Sequence, residues 1–136
     1  MTMATVSYKN LKVLLIEDES YTRMITRTLL RQIGVHTIEE AANGRDGFAK
    51  AVDWRPDLVL CDIHMAPVDG FEFIKKLRGL DDVGLRSTPV IFLTADSKRD
   101  NVIIAKEHAA NGFLVKPISL SALKTRLDLA AGIAKV

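Results

Sequence analysis

The chain has 136 residues, of which 48% are hydrophobic and 26% charged, with a formal net charge of +2. That is the size and composition of one folded domain and excludes disorder of the whole chain. The small positive excess forms no basic block that would point to nucleic acid, one cysteine permits no internal disulfide, and apolar runs such as 13–16 fall far short of the roughly 20 residues that span a membrane.

Residues 1–9 are polar and carry no signal-peptide core, so a flexible tail is expected there and a cytoplasmic location follows as the default. Residues 11–16 ("LKVLLI") have the composition of a strand. A helix is expected over 20–34, with Tyr21, Met24, Ile25, Thr28, Leu29 and Ile33 at helical spacing and Gly34 as its stop. Residues 35–41 form a second strand. Glu39 and Glu40 within it favour an edge position. A helix over 44–54 ends before Pro56, and 57–61 ("DLVLC") is a third strand. The next helix, 70–80, carries Phe71, Ile74 and Leu77 on one face. Residues 79–88 form a longer connection, and 88–94 a fourth strand. A helix over 97–112 opens with Ser97 and Asp100 as an imperfect capping box. Residues 113–115 make a short fifth strand. The last helix, 119–136, has Leu120, Leu123, Leu127 and Ala130 as its core stripe, with Leu129 and Ile133 roughly opposite.

Strand and helix alternate five times. That pattern predicts a doubly wound five-stranded parallel sheet with helices on both faces and strand order 2-1-3-4-5. In such a sheet, residues that follow the strands share one rim. Here the rim receives Glu17, Asp18 and Glu19 after strand one, Asp62 after strand three, Thr94 and Ala95 at the end of strand four, and Lys116 and Pro117 after strand five. Each has an ordinary explanation: acids at a helix start, a strand-end threonine, a surface lysine. Asp62 is the hardest to explain so, because a lone buried carboxylate costs several kcal/mol. Clustered carboxylates raise one another's pKa, and a divalent cation with oxygen ligands relieves the repulsion. The rim is therefore read as a site for Mg²⁺ and a phosphoryl group.

The stretches "VLLIEDE", "DLVLCDIHMAPVDGFEF", "PVIFLTAD" and "GFLVKPIS" together resemble the receiver domain of two-component response regulators, of the stand-alone, chemotaxis-receiver type. The resemblance implies a flavodoxin-like fold over 10–136, with no output domain. It makes Asp62 the phosphoacceptor, charged by a histidine kinase or histidine phosphotransfer protein. It implies Mg²⁺ held by Glu17, Asp18, Asp62 and the backbone carbonyl of His64. Thr94 and Ala95 would border the phosphoryl group, Lys116 would pair with it beside a cis bond to Pro117, and Phe113 would take the switch-aromatic position. His64 and Asp96 would tune dephosphorylation. The chain would be a self-catalysed phosphoacceptor rather than an enzyme. It would relay the phosphate or bind a downstream protein through the face of helix 97–112, strand 113–115 and helix 119–136. A haloacid-dehalogenase-type phosphatase would need Asp where His64 stands, and a flavodoxin would need a Ser/Thr-rich loop where "EDESYT" stands. A phosphorylation-independent pseudo-receiver is disfavoured, since the required side chains are all present. Cys61 is expected to point away from Asp62 by strand alternation.

Overall fold

The computed structural model describes residues 8–95 and 109–132. Apolar residues on both faces of a strand need cover on both sides, and the chain supplies it with two helical layers. Strands β1 (Lys12–Ile16), β2 (Thr37–Ala41), β3 (Leu58–Asp62), β4 (Val90–Thr94) and β5 (Phe113–Val115) form one parallel sheet in the order β2-β1-β3-β4-β5. The helices are α1 (Ser20–Ile33), α2 (Gly44–Trp54), α3 (Gly70–Arg78), a short α4 (Val83–Arg86) and α5 (Leu120–Ala130). The expected order of strands is observed, with β2 at the edge.

Strand alternation divides the core in two. Leu14, Ile16, Val59, Cys61 and Phe92 face α2 and α3, where Ala51, Phe73, Ile74 and Leu77 complete one cluster. Val13, Leu15, Leu58, Leu60, Ile91, Leu93 and Leu114 face α1 and α5, where Leu30, Leu123 and Leu127 complete the other. Cys61 therefore points away from Asp62, as alternation predicts, and burial pushes its thiol pKa up.

Several boundaries differ from the expectation, for identifiable reasons. Strand β3 runs one residue further, because Asp62 itself pairs in register with Leu93. The 79–88 connection contains α4, capped by Asp82, whose side chain accepts from Leu85 N at 3.0 Å. Tyr8–Asn10 form a turn of 3-10 helix, and Tyr8 packs against the α1–α5 cluster, which takes residues 8 and 9 out of the expected tail. The N-terminal part of α1 is open, but of its residues at helical spacing Leu29 and Ile33 pack against the core. Thr26 and Leu30 are buried there, whereas Tyr21 is 65% exposed and Met24 and Ile25 are exposed as well. Leu120, expected in the core stripe of α5, is 42% exposed, and only Leu123 and Leu127 of that stripe are fully buried. Tyr21 and Leu120 lie in the first turns of helices that start at the sheet's rim. The helix expected over 97–112, with its Ser97 cap, lies mostly outside the described residues, as does Ile133.

One close approach sets how the third strand meets its helix. A Cβ on Gly70, the first residue of α3, would stand 2.6 Å from the carbonyl oxygen of Asp62 and 2.8 Å from Ile63 Cα. Both obstacles are backbone and cannot turn away. Gly70 N also donates to Ile63 O at 2.8 Å. In an open helix Gly→Ala stabilises. Here the overlap reverses the sign, and Gly70→Ala is expected to lower the unfolding free energy by about 1–3 kcal/mol in urea titrations. An unchanged or raised midpoint would show that this contact is not a constraint.

Candidate functional site

The carboxyl ends of β1, β3, β4 and β5 meet at one rim, and each contributes one group. Glu17 follows β1 and is fully buried; its N–H donates to Ala41 O at 3.0 Å, which ties it to β2. Asp18 beside it is exposed. Asp62 ends β3 at 5% exposure, and the next residue is anchored by Ile63 N donating to Leu93 O at 3.1 Å. Thr94 ends β4 and is buried. Lys116 follows β5, its N–H donating to Thr94 O at 2.7 Å, and the Lys116-Pro117 peptide is cis, as the resemblance implies.

These groups converge. Carboxylate oxygens of Glu17, Asp18 and Asp62 lie within 4.8 Å of one another. Lys116 Nζ stands 2.6 Å from Glu17 Oε1 and 3.3 Å from Asp62 Oδ1. The lysine thus bridges two of the carboxylates and lies closer to Glu17 than to Asp62. One ammonium does not offset three carboxylates at this spacing. Burial pushes the Glu17 pKa up to about 7 against the pull of Lys116, with the Asp62 charge adding to the rise. Burial likewise raises the Asp62 pKa, opposed by Lys116. Burial alone would lower Lys116, but the carboxylates of Glu17 and Asp62 outweigh it and raise its pKa. The site is short of positive charge and offers only hard oxygen donors, the donor set that suits Mg²⁺.

The remaining predicted residues are distributed around this centre. His64 and Ala95 are exposed and line the cavity over Asp62. Phe113 is half-buried on β5, packed against the α2–α3 cluster and paired in register with Phe92. Asp96 lies outside the described residues.

Two features went unread in the sequence. The cavity, of about 580 Å³, extends from Asp62 and Lys116 along Tyr21 and Ile25 of α1 to Pro117 and Ile118. Its apolar wall includes Tyr21 and Ile25, which helical spacing marked without showing what they face. Beside it, Arg23 Nη1 donates to the carbonyl of Glu17 at 2.7 Å, and Arg23 Nε to Glu40 Oε1 at 3.1 Å. Arg27 Nη1 holds both oxygens of Glu40, at 2.9 and 2.7 Å. Glu40 had been read only as a mark of an edge strand. An arginine one turn into a helix after an acidic loop is the one sequence signal that would have found this link.

The sequence pattern of the response regulator receiver domain matches residues 13–128. The chain is 33% identical over 126 residues to chemotaxis protein CheY-3 of Vibrio cholerae, an alignment covering 93% of this chain and 95% of that one. It is 35% identical over 119 residues to the transcriptional regulatory protein PdtaR of Mycobacterium tuberculosis, covering 88% of this chain and 56% of that protein. Among solved structures it superposes on chemotaxis protein CheY4 of Vibrio cholerae with a TM-score of 0.80 at 32% identity, covering 88% of this chain and 98% of that one.

The raised pKa of Glu17 has a testable sign. Its folded value, about 7, lies above the ordinary value of 4.5, so the folded protein binds more protons between those values than the unfolded chain. The contribution of Glu17 to stability is full below about 4.5 and is lost as pH rises through about 7. Glu17→Gln removes that loss. In EDTA, the variant is expected to gain stability relative to wild type between pH 4.5 and pH 8, on the order of 2–3 kcal/mol by urea titration. An equal difference at both pH values would show that Glu17 is not held against its charge.

Proposed function

The chain belongs to the response regulator receiver family, and from that premise we propose that Asp62 accepts a phosphoryl group from the phosphohistidine of a histidine kinase or phosphotransfer protein. The observation that carries this reading is a carboxylate at the end of a buried strand, within 4.8 Å of two others and 3.3 Å from an ammonium. Phosphoryl transfer asks for positioning and charge neutralisation more than for acid–base work, and those are what this rim offers.

The step is an in-line displacement. An Asp62 carboxylate oxygen attacks phosphorus opposite the bond to the donor nitrogen. The O–P bond forms, the N–P bond breaks, and the electron pair stays with the donor imidazole, which ends as a neutral ring after taking one proton. Glu17, Asp18, Asp62 and the carbonyl of His64 would hold Mg²⁺, which when bound would neutralise charge on the phosphoryl oxygens. Lys116 leaves its bridge between Glu17 and Asp62 to pair with the new anion, which carries about two negative charges. Thr94 donates its hydroxyl to a phosphoryl oxygen, and Ala95 leaves room beside it. His64 and Asp96 flank the attacking water and set the lifetime of the acyl phosphate.

The output surface lies on the far side of β5. Phe113, Val115, Ser121, Thr125 and Leu129 border a groove of about 420 Å³ between β5 and α5. Val115 and Leu129 expose apolar surface there. Lys116 N donates to Thr94 O at 2.7 Å, so movement at the end of β4 reaches β5 directly. A shift of Thr94 toward the phosphoryl group frees Phe113 to turn, and the groove changes shape for a downstream protein or for a second phosphotransfer partner. Among the described residues no helix is long and apolar enough to cross a membrane.

The direct test is covalent labelling with a small phosphodonor and Mg²⁺. Wild type is expected to acquire one acid-stable, base-labile phosphate, and Asp62→Asn none; EDTA abolishes labelling of wild type. Labelling of Asp62→Asn to the wild-type extent would remove Asp62 from the role.

A protein donor must bring its histidine over the cavity, so it contacts the walls that a small donor does not. Ile25→Glu puts a charge on the apolar wall formed by Tyr21, Ile25 and Ile118. It is expected to slow transfer from a phosphohistidine protein at least tenfold, a loss of about 1.4 kcal/mol in the transition state, while leaving labelling by a small phosphodonor within about twofold (~0.4 kcal/mol). Equal effects on both donors would mean that this wall does not dock the donor.

A further inference from the structure

We infer that Arg23 is the positioning residue of the metal site: it orients the peptide that joins Glu17 to Asp18, and with it both carboxylates. The inference rests on the proposed Mg²⁺ role of those carboxylates and adds what holds them. In the loop from β1 to α1, Glu19 N donates to Glu17 Oε2 at 3.3 Å, and Glu19, the N-cap of α1, caps no backbone N–H but accepts from the Thr22 hydroxyl. On the backbone, Glu17 N–H is fixed by Ala41 O, but that bond leaves the other side of the residue free to rotate. Arg23 holds that other side, Nη1 donating to Glu17 O at 2.7 Å.

A peptide is planar, so the carbonyl of Glu17 and the N–H and Cα of Asp18 move as one plate. Fixing the carbonyl oxygen fixes where the Asp18 side chain departs. Arg23 is itself fixed. Its Nε pairs with Glu40 at 3.1 Å, and Glu40 is gripped from its other side by Arg27. Glu40 lies on β2, in register with Leu15 of β1. The anchor therefore belongs to the same sheet that carries Glu17 and is referenced to it by backbone hydrogen bonds. Both arginines and Glu40 are roughly three-quarters buried, which limits their alternatives.

The two contacts of Arg23 require the fork of a guanidinium. Nε and Nη1 point to two acceptors at a fixed angle, and a lysine ammonium on a flexible stem cannot hold the same plate to the same anchor. Removing a group that orients a metal ligand commonly costs 10–100-fold in metal affinity.

The test is Mg²⁺ titration of the full chain, followed by amide NMR with no phosphodonor present. Arg23→Ala and Arg23→Lys are expected to weaken Mg²⁺ binding about tenfold. Arg27→Ala removes an ion pair of equal exposure but leaves the Arg23–Glu17 bond, and is expected to stay within about twofold of wild type (~0.4 kcal/mol). Labelling of Arg23→Lys by a small phosphodonor should then return to the wild-type rate at saturating Mg²⁺, because only metal capture is impaired. Affinity of the Arg23 variants within twofold of wild type overturns the inference, and so does an Arg27→Ala loss equal to theirs. Should Arg23→Ala not melt cooperatively, Arg23→Lys and Arg23→Gln carry the comparison. A wild-type chain that takes up no Mg²⁺ overturns the reading of the site beneath the inference, and it does so before any variant is compared.

Discussion

Lys116 stands between Glu17 and Asp62, 2.6 and 3.3 Å from their oxygens, and among the described residues it is the ammonium set against three clustered carboxylates. Charges of one sign at this spacing do not gather unless the fold forces them together. The force comes from the sheet. Four parallel strands end at one rim, and each is paired to its neighbour over several residues, so no end can retreat without breaking the ladder. The stability of the sheet thus sustains an electrostatic conflict at its edge. That conflict makes the rim receptive to a cation and, with the cation, to an anion.

The two helical layers sharpen the same conflict. They cover both faces of β3, and the strand is buried from its first residue to Asp62. Burial is the largest influence on both the Glu17 and the Asp62 pKa. Were the strand open to water on one side, the carboxylates would be hydrated and the site would hold no tension. The contact of Gly70 with the Asp62 carbonyl belongs to the same design, since it brings the start of α3 against the backbone of Asp62. On the other flank, the Arg23–Glu40–Arg27 group does for the acidic loop what Gly70 does for β3. Both devices act on backbone, and both leave the carboxylates themselves free to bind.

Around this centre the chain leaves apolar surface uncovered in two places. Tyr21, Ile25 and Ile118 border the cavity over Asp62, and Val115 and Leu129 border the groove on the far side of β5. The first lies over Asp62, the second along β5. The backbone bond from Lys116 to Thr94 connects the two ends of this path.

Local pattern alone determined the fold class, the strand order and the membership of the rim. Apolar runs of strand length alternate with helical spacing, and parallel pairing then admits few arrangements. Asp62, Glu17, Asp18, Thr94 and Lys116 were legible because each ends a strand or follows one within two residues, and the ends of parallel strands are neighbours whatever the side-chain details. Leu120 was misread because helical spacing reveals that an apolar face exists but not what covers it, and the same spacing could not show that Tyr21, Met24 and Ile25 stay exposed. That depends on how far each helix overhangs the sheet. The bridge made by Lys116, the hold of Arg23 on the Glu17 carbonyl and the contact of Gly70 with Asp62 join residues distant in sequence or reach backbone atoms. No periodicity records such contacts, because they arise only when the layers have packed and the distances between them are set.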